Sequence, residues 1–151
     1  MIHAYSNWLI NSTVVIATLL AIGLCVLLHF EGLVFVSRKI PLIHTPARVK
    51  VIFVIAAILV LHVTEIWIFG IIEWFLLSMP DFGTLAGQNH LHVFDVIYLS
   101  AVTFTTVGYG DLTPNGPIRF MLGTEALTGF VLITWSASFT YLEMERLWRK
   151  P

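Results

Sequence analysis

The sequence predicts an all-α integral membrane protein with three transmembrane helices per chain and one shorter helix that does not cross the bilayer. Of its 151 residues, 58% are hydrophobic and only 11% are charged, and the mean hydropathy is +0.88. These values lie well outside the range of soluble globular proteins. Three apolar stretches reach the roughly 20 residues that a spanning helix needs. They cover residues 11–37, 51–78 and 118–142.

Residues 1–50 contain the first span and the loop that follows it. We expect them to form a unit distinct from residues 51–151. Basic residues cluster in that loop and near the C-terminus: Arg38, Lys39, Arg48, Lys50, Arg146, Arg149 and Lys150. The positive-inside rule therefore predicts a multi-pass cell-membrane protein with a cytoplasmic C-terminus and an outer N-terminus. The first eleven residues contain no lysine or arginine, so we expect the first span to be retained rather than cleaved.

A fourth apolar stretch, residues 92–105, is too short to cross the membrane. A segment of this length at membrane depth is expected to be a buried or re-entrant helix. Asp95 lies in its first turn, where a negative charge is favourable beside the helix N-terminus. The predicted order is therefore helix, basic loop, helix, short re-entrant helix and helix.

The residues after the short helix form the most specific motif of the chain. They are Thr106, Val107, Gly108, Tyr109 and Gly110, followed directly by Asp111. Gly108 and Gly110 can adopt backbone angles that other residues resist, so a short strand can aim its carbonyls at one axis. We expect the Thr106 hydroxyl to add an oxygen and the Val107 and Tyr109 side chains to point away. A glycine-rich turn between helices is the simpler alternative.

Residues 100–114 read SAVTFTTVGYGDLTP, and this run resembles the pore segment of the tetrameric potassium channel family. The similarity covers residues 51–147, about two thirds of the chain, and is strongest to small bacterial channels and to the pore modules of two-pore-domain channels. It implies an outer helix, a pore helix, a selectivity filter and an inner helix within residues 51–151. Because the chain carries one filter and the family needs four, the resemblance also implies a homotetrameric pore.

In this family K⁺ is bound by backbone carbonyls that replace its hydration water. The resemblance assigns the K⁺-binding carbonyls to Thr106, Val107, Gly108 and Tyr109, and Gly110 completes the filter. Potassium selectivity thus follows from the resemblance rather than from the residue types. We expect K⁺ ions in the filter and no organic cofactor.

A second set of residues is expected to support the filter. Asp111 follows it at the outer mouth, where four carboxylates would concentrate cations, and Thr105 ends the pore helix before it. Several bacterial relatives have a glutamate at the position of Val102, where it braces the aspartate after the filter. Val102 cannot do so, and we predict that the hydroxyl of Tyr98, one helical turn earlier, donates to Asp111 instead.

Gly129 stands in the third span, near the position of a hinge glycine in the family. A glycine inside a helix costs about 1 kcal/mol relative to alanine, so it usually has a bending or a packing reason. Hinging and close helix packing both remain open at this stage. One face of the same helix is expected to line the cavity: Phe130, Ile133, Thr134, Ala137 and Tyr141.

Charged residues inside the spans are expensive and tend to be paired or functional. We expect Glu125 either to brace the filter through the pore helix around Thr103 or to sit protonated in a packed niche. His62 and Glu65 are three residues apart on one helix face and form a candidate proton-sensitive pair. A static hydrogen-bonded pair is the alternative, and two ligands three apart are weak evidence for a metal site. His29 and Glu31 lie toward the inner end of the first span.

The predicted function is passive, potassium-selective conduction through a homotetramer surrounded by membrane lipid. A non-selective cation channel and a non-conducting membrane subunit are the alternatives. Neither a nucleophile–base pair nor a multi-ligand metal cluster appears at usable spacing, so we expect no enzyme, and no basic patch points to nucleic acid. No helix carries arginine at every third position, so we expect no voltage sensor of the usual kind. Only nine residues follow Leu142, so a regulatory domain is expected only if the protein is longer.

Overall fold

The structure, a computed structural model, describes residues 7–87 and 90–149. Four helices are present in these ranges: α1 (Trp8–Lys39), α2 (Ala47–Leu77), α3 (Val93–Phe104) and α4 (Arg119–Trp148). α1 continues into a single 3₁₀ turn over Ile40–Leu42. α1, α2 and α4 are long and apolar enough to cross a membrane, and α3 is not. The predicted all-helical architecture with three membrane-capable helices is confirmed.

The ends of α1 follow from local chemistry. Its first turn is capped by Asn7, whose side chain accepts a hydrogen bond from the Leu9 amide at 3.2 Å. Arg38 and Lys39 occupy its last turn, where positive charge is favourable. Pro41 then stands in the 3₁₀ turn; since proline lacks an N–H and restricts the residue before it, it favours ending the α-helix there.

α1 packs on the rest of the chain through one narrow stripe. Its buried residues recur every three or four positions: Val14, Thr18, Ala21, Cys25, His29, Leu33 and Val36. The leucines between them, such as Leu20 and Leu27, are exposed. The stripe contacts both α2 and α4, so α1 holds these two helices together with one face and presents apolar side chains on the other.

A two-stranded ribbon connects the loops on either side of α3. Strand β1 (Thr84–Ala86) pairs antiparallel with β2 (Thr113–Asn115), and Leu85 stands opposite Pro114. The sequence analysis does not predict this ribbon, because strands of three residues are too short to show alternation. It ties the chain before α3 to the chain just before α4.

α3 lies between α2 and α4 and contacts both at glycine positions. A Cβ atom at Gly70 of α2 would lie 2.9 Å from the Ile97 side chain and 3.0 Å from its Cα. A Cβ atom at Gly129 of α4 would collide with the backbone carbonyl of Phe104. The absence of a side chain at Gly129 thus allows α4 to touch the end of α3. This contact favours the close-packing interpretation of Gly129 over the hinge, and α4 runs unbroken through it.

We predict that Gly129→Ala destabilises the protein by about 1–3 kcal/mol, because the new methyl group forces α3 and α4 apart. The apparent Tm of the purified protein in detergent should fall by at least about 3 °C. Gly23→Ala is the matched control, since nothing lies within 4 Å of a Cβ atom at that position of α1. It should leave Tm unchanged or raise it, because alanine is the better helix former. Equal Tm values for the two variants would contradict the packing role.

Candidate functional site

The segment over residues 106–110 leaves the C-terminal end of α3 with an unusual backbone. Thr106, Gly108 and Gly110 have φ angles of +59°, +53° and +79°, while Val107 and Tyr109 between them do not have positive φ. Alternate residues are therefore left-handed. For glycine this costs little, but for the β-branched Thr106 it costs on the order of 1–3 kcal/mol. Strain of this kind is typical of functional sites.

Two backbone hydrogen bonds hold the start of this segment against α3. The Thr106 amide donates to the Thr103 carbonyl at 2.9 Å, and the Gly108 amide donates to the Val102 carbonyl at 3.0 Å. The start of the segment is thus held against the last turn of α3. The hydroxyl of Thr105 donates to the Ala101 carbonyl within α3 at 2.7 Å, so it bonds within the last turns of its own helix.

The whole segment lies on the surface of the single chain. Residues 105–111 are all exposed, and the side chains include two large apolar ones, Val107 at 54% and Tyr109 at 72% of full exposure. The predicted cavity face of α4, from Phe130 to Tyr141, is exposed as well. In the single chain both surfaces are open to contact with another molecule, whether lipid or a further copy of the chain.

Tyr98 and Asp111 form the hydrogen bond that the sequence analysis predicts. The Tyr98 hydroxyl donates to Asp111 Oδ2 at 3.0 Å, and it links α3 to the residue that follows the 106–110 segment. The next residue, Leu112, is buried in the core. The far end of the segment is therefore attached both to α3 and to the hydrophobic core.

Glu125 meets α3 at Ser100, so the predicted partner around Thr103 is wrong by about one helical turn. The Ser100 hydroxyl lies 2.5 Å from Glu125 Oε1. Its position follows from the Gly129–Phe104 contact, because α3 and α4 run in the same direction here. Four residues before Gly129 is Glu125, and four residues before Phe104 is Ser100.

The same Ser100 hydroxyl lies 2.9 Å from the Ile66 carbonyl oxygen of α2. A hydroxyl group has a single proton to donate. Both hydrogen bonds can form together only if the Glu125 carboxyl group itself carries a proton and shares it with Ser100. In that state Ser100 connects α2, α3 and α4 through one side chain.

Glu73 is a buried carboxyl group that the sequence analysis missed. It lies on α2, is fully buried, and interacts electrostatically with Glu125. Within the described ranges, neither of its carboxyl oxygens has a hydrogen-bond partner of good geometry. The signal was available, since Glu73 stands inside the second apolar stretch just as Glu65 does.

A second polar cluster lies farther along the helices. His62 Nδ1 is 2.9 Å from Glu65 Oε2, which confirms that the candidate pair is in contact. The structure adds His29 of α1, whose Nδ1 is 2.8 Å from Glu65 Oε1, and Ser136 of α4, 3.2 Å from His29 Nε2. Three ligand-type side chains therefore meet where the sequence spacing indicated two.

Comparison with known proteins identifies the family of this chain. Residues 49–144 match the model of a family described as "Ion channel". No solved structure matches the chain.

Two curated relatives are named Protein LctB. The protein from Geobacillus stearothermophilus is 34% identical over 67 residues, which are 44% of this chain and 50% of that protein. The protein from Bacillus caldotenax is 25% identical over an alignment of 112 residues. The match covers 52% of this chain and 84% of the relative. The chain thus spans about half the length of the first of these relatives.

The family match covers more than half of the chain and includes α2, α3 and α4. It agrees with three helices that are long and apolar enough to cross a bilayer. The chain is therefore a multi-pass membrane protein that belongs to the ion channel family.

Proposed function

We propose that the protein is a potassium-selective channel that conducts K⁺ passively through a homotetrameric pore, with residues 106–110 as the selectivity filter. The observation that carries this proposal is the alternating backbone of the segment, in which even Thr106 adopts a positive φ. A turn between two helices gives no reason for a strained threonine. A strand whose carbonyls must coordinate an ion does.

The alternation has a direct consequence for the carbonyl groups. In a regular strand successive carbonyls point to opposite sides. When every second residue is left-handed, successive peptide groups are turned so that their carbonyls share one side. Such a row of oxygens can replace the water around K⁺, and in this proposal Thr106, Val107, Gly108 and Tyr109 supply it.

The homotetramer follows from the number of oxygens that the ion needs. One strand offers one carbonyl at each level, whereas a filter consists of four strands around an axis. The exposed Val107 and Tyr109 side chains are the surfaces that neighbouring copies would cover. Phe130, Ile133 and Tyr141 would then line a cavity beneath the filter.

The direction of α3 supports cation conduction. Its C-terminal end, which carries partial negative charge, leads into the 106–110 segment. Asp111 adds a carboxylate at the other end of the segment. In the proposed tetramer both ends of the filter therefore have a negative potential, which attracts K⁺ and repels anions.

We further propose that the segment opens to the outside of the cell. Four of the eight lysines and arginines of the chain lie at or near the α1–α2 connection, and three lie at the C-terminal end of the sequence. The positive-inside rule puts both regions in the cytoplasm. The α2–α3 connection and the α3–α4 connection, which contains Asp111, are then external.

The central prediction concerns selectivity. With the purified protein in liposomes, and K⁺ on one side replaced by Na⁺, current should reverse near the K⁺ equilibrium potential and be blocked by barium. Reversal near zero would identify a non-selective cation channel instead. Absence of current at every voltage and pH would contradict conduction under these conditions, and it would fit a closed channel as well as a non-conducting subunit.

The backbone argument predicts the effect of Gly108→Ala. Alanine at a φ of +53° is strained by roughly 1–2 kcal/mol, and relief of that strain would turn a carbonyl away from the row. The ratio of K⁺ to Na⁺ permeability should fall at least about tenfold. Gly23→Ala, in which the new methyl group meets nothing, should keep the wild-type ratio. An unchanged ratio in Gly108→Ala would remove the filter assignment.

The hydrogen bond between Tyr98 and Asp111 is proposed to hold the outer end of the filter. Because this bond links Asp111 to α3, its loss is expected to change how fast the filter leaves its conducting form. Tyr98→Phe should therefore alter the decay of K⁺ current several-fold. In a double-mutant cycle, Asp111→Asn should have little further effect once Tyr98 is phenylalanine. Additive effects of the two substitutions would show that they act separately.

Ser100 and Glu125 are proposed to brace the filter from behind α3. Ser100→Ala leaves the Glu125 carboxyl group buried without its hydroxyl partner, at a cost of about 1–3 kcal/mol. The apparent Tm in detergent should fall accordingly, and the open filter should be less stable in single-channel records. The control is Ser138→Ala, since the exposed Ser138 hydroxyl bonds to the Thr134 carbonyl of its own helix. Equal effects of the two substitutions would contradict a role of Ser100 and Glu125 in supporting the filter.

A further inference from the structure

We propose that His29, His62 and Glu65 form a binding site for a divalent transition-metal ion of the Zn²⁺ class inside the helix bundle. This inference is separate from ion conduction, since none of the three residues belongs to the 106–110 segment. It rests on three ligand-type side chains that two different helices bring to one point.

The ligand atoms already converge. One nitrogen from each histidine and one oxygen from Glu65 all lie within 4.8 Å of one another. His62 and Glu65 come from one turn of α2, and His29 reaches them from α1. A zinc ion with three protein ligands and an open fourth position is a common arrangement.

The choice of ligands indicates the class of metal. Two imidazole nitrogens and one carboxylate oxygen suit Zn²⁺, Co²⁺, Ni²⁺ or Cu²⁺, whereas Ca²⁺ and Mg²⁺ prefer oxygen ligands throughout. Glu65 supplies a negative charge that offsets part of the charge of the ion. His62 is the least buried of the three, with 14% of its side chain exposed, and gives the ion a side from which to approach.

The residues around the site hold one of its ligands in the required form. Ser136 Oγ lies 3.2 Å from His29 Nε2, so Nε2–H can donate to it and leave Nδ1 unprotonated for the metal. Partners of this kind orient metal-binding histidines and fix their tautomer. The rings of Trp135 and Phe104 pack beside His29 and His62, with centroids 5.2 Å and 5.9 Å away, and limit their movement.

A metal ion here would bind α1 to α2. The present contacts between them at this point are hydrogen bonds, which an ion would replace with coordinate bonds. Phe104 is the last residue of α3 and touches His62, so the site adjoins the start of the 106–110 segment.

The test uses Co²⁺ as a spectroscopic probe on the full-length, tag-free protein in detergent. Bound Co²⁺ in a tetrahedral site gives strong visible absorption bands. We expect one Co²⁺ per chain, displaced by Zn²⁺, and no competition from Mg²⁺. If the wild-type protein gives no such bands, or if Mg²⁺ abolishes them, the proposal is overturned, whether or not the protein conducts.

Substitutions of the proposed ligands test where the ion binds. His29→Gln and Glu65→Gln should each weaken Co²⁺ binding by at least about tenfold, and Ser136→Ala by about 10–100-fold through loss of the orienting partner. His44→Gln is the matched control, because His44 is exposed in the α1–α2 loop, and it should bind as the wild type does. His62→Gln changes the least buried ligand and serves where the more buried variants fail to fold. Full-strength bands in folded His62→Gln would overturn the assignment.

Discussion

The need to satisfy polar groups away from water determines how the helices of this chain meet. Ser100 is the clearest case, because its hydroxyl lies within hydrogen-bond distance of Ile66 on α2 and of Glu125 on α4. An unpaired carboxyl group in an apolar interior costs several kcal/mol. α3 can therefore neither slide nor rotate without breaking a hydrogen bond that nothing nearby replaces.

The position of α3 in turn sets the position of the 106–110 segment. Gly129 lets α4 touch the carbonyl of Phe104, so the end of the short helix is fixed where the strained backbone begins. The strain at Thr106 is then offset by its surroundings: two amides bond back to α3, and Tyr98 holds Asp111 at the far side. The 106–110 segment is thus fixed at both ends. A site whose carbonyls coordinate an ion requires this.

Most of the architecture could be predicted from composition and length, because a spanning helix leaves a long apolar run that no other element produces. The Tyr98–Asp111 contact could also be predicted, since Tyr98 lies one helical turn before Val102, which cannot bond to Asp111. The contacts between helices could not. His29 and Ser136 are 107 residues apart and meet only through packing, and the partner of Glu125 depends on an alignment of α3 and α4 that the Gly129 contact sets. The short ribbon left no pattern to detect.

The order of synthesis determines when each acidic side chain can meet its partner. A chain is made from its N-terminus, and Glu65 finds His29 on a helix synthesised before it. Glu125 likewise finds Ser100 on an earlier helix. Each of these carboxyl groups thus enters the bilayer when its partner is already there, and the exposure of an unpaired acid to lipid is brief. Glu73 is different, because the group it adjoins, Glu125, lies on a helix made later. Glu73 therefore stays apart from that group until α4 has been made.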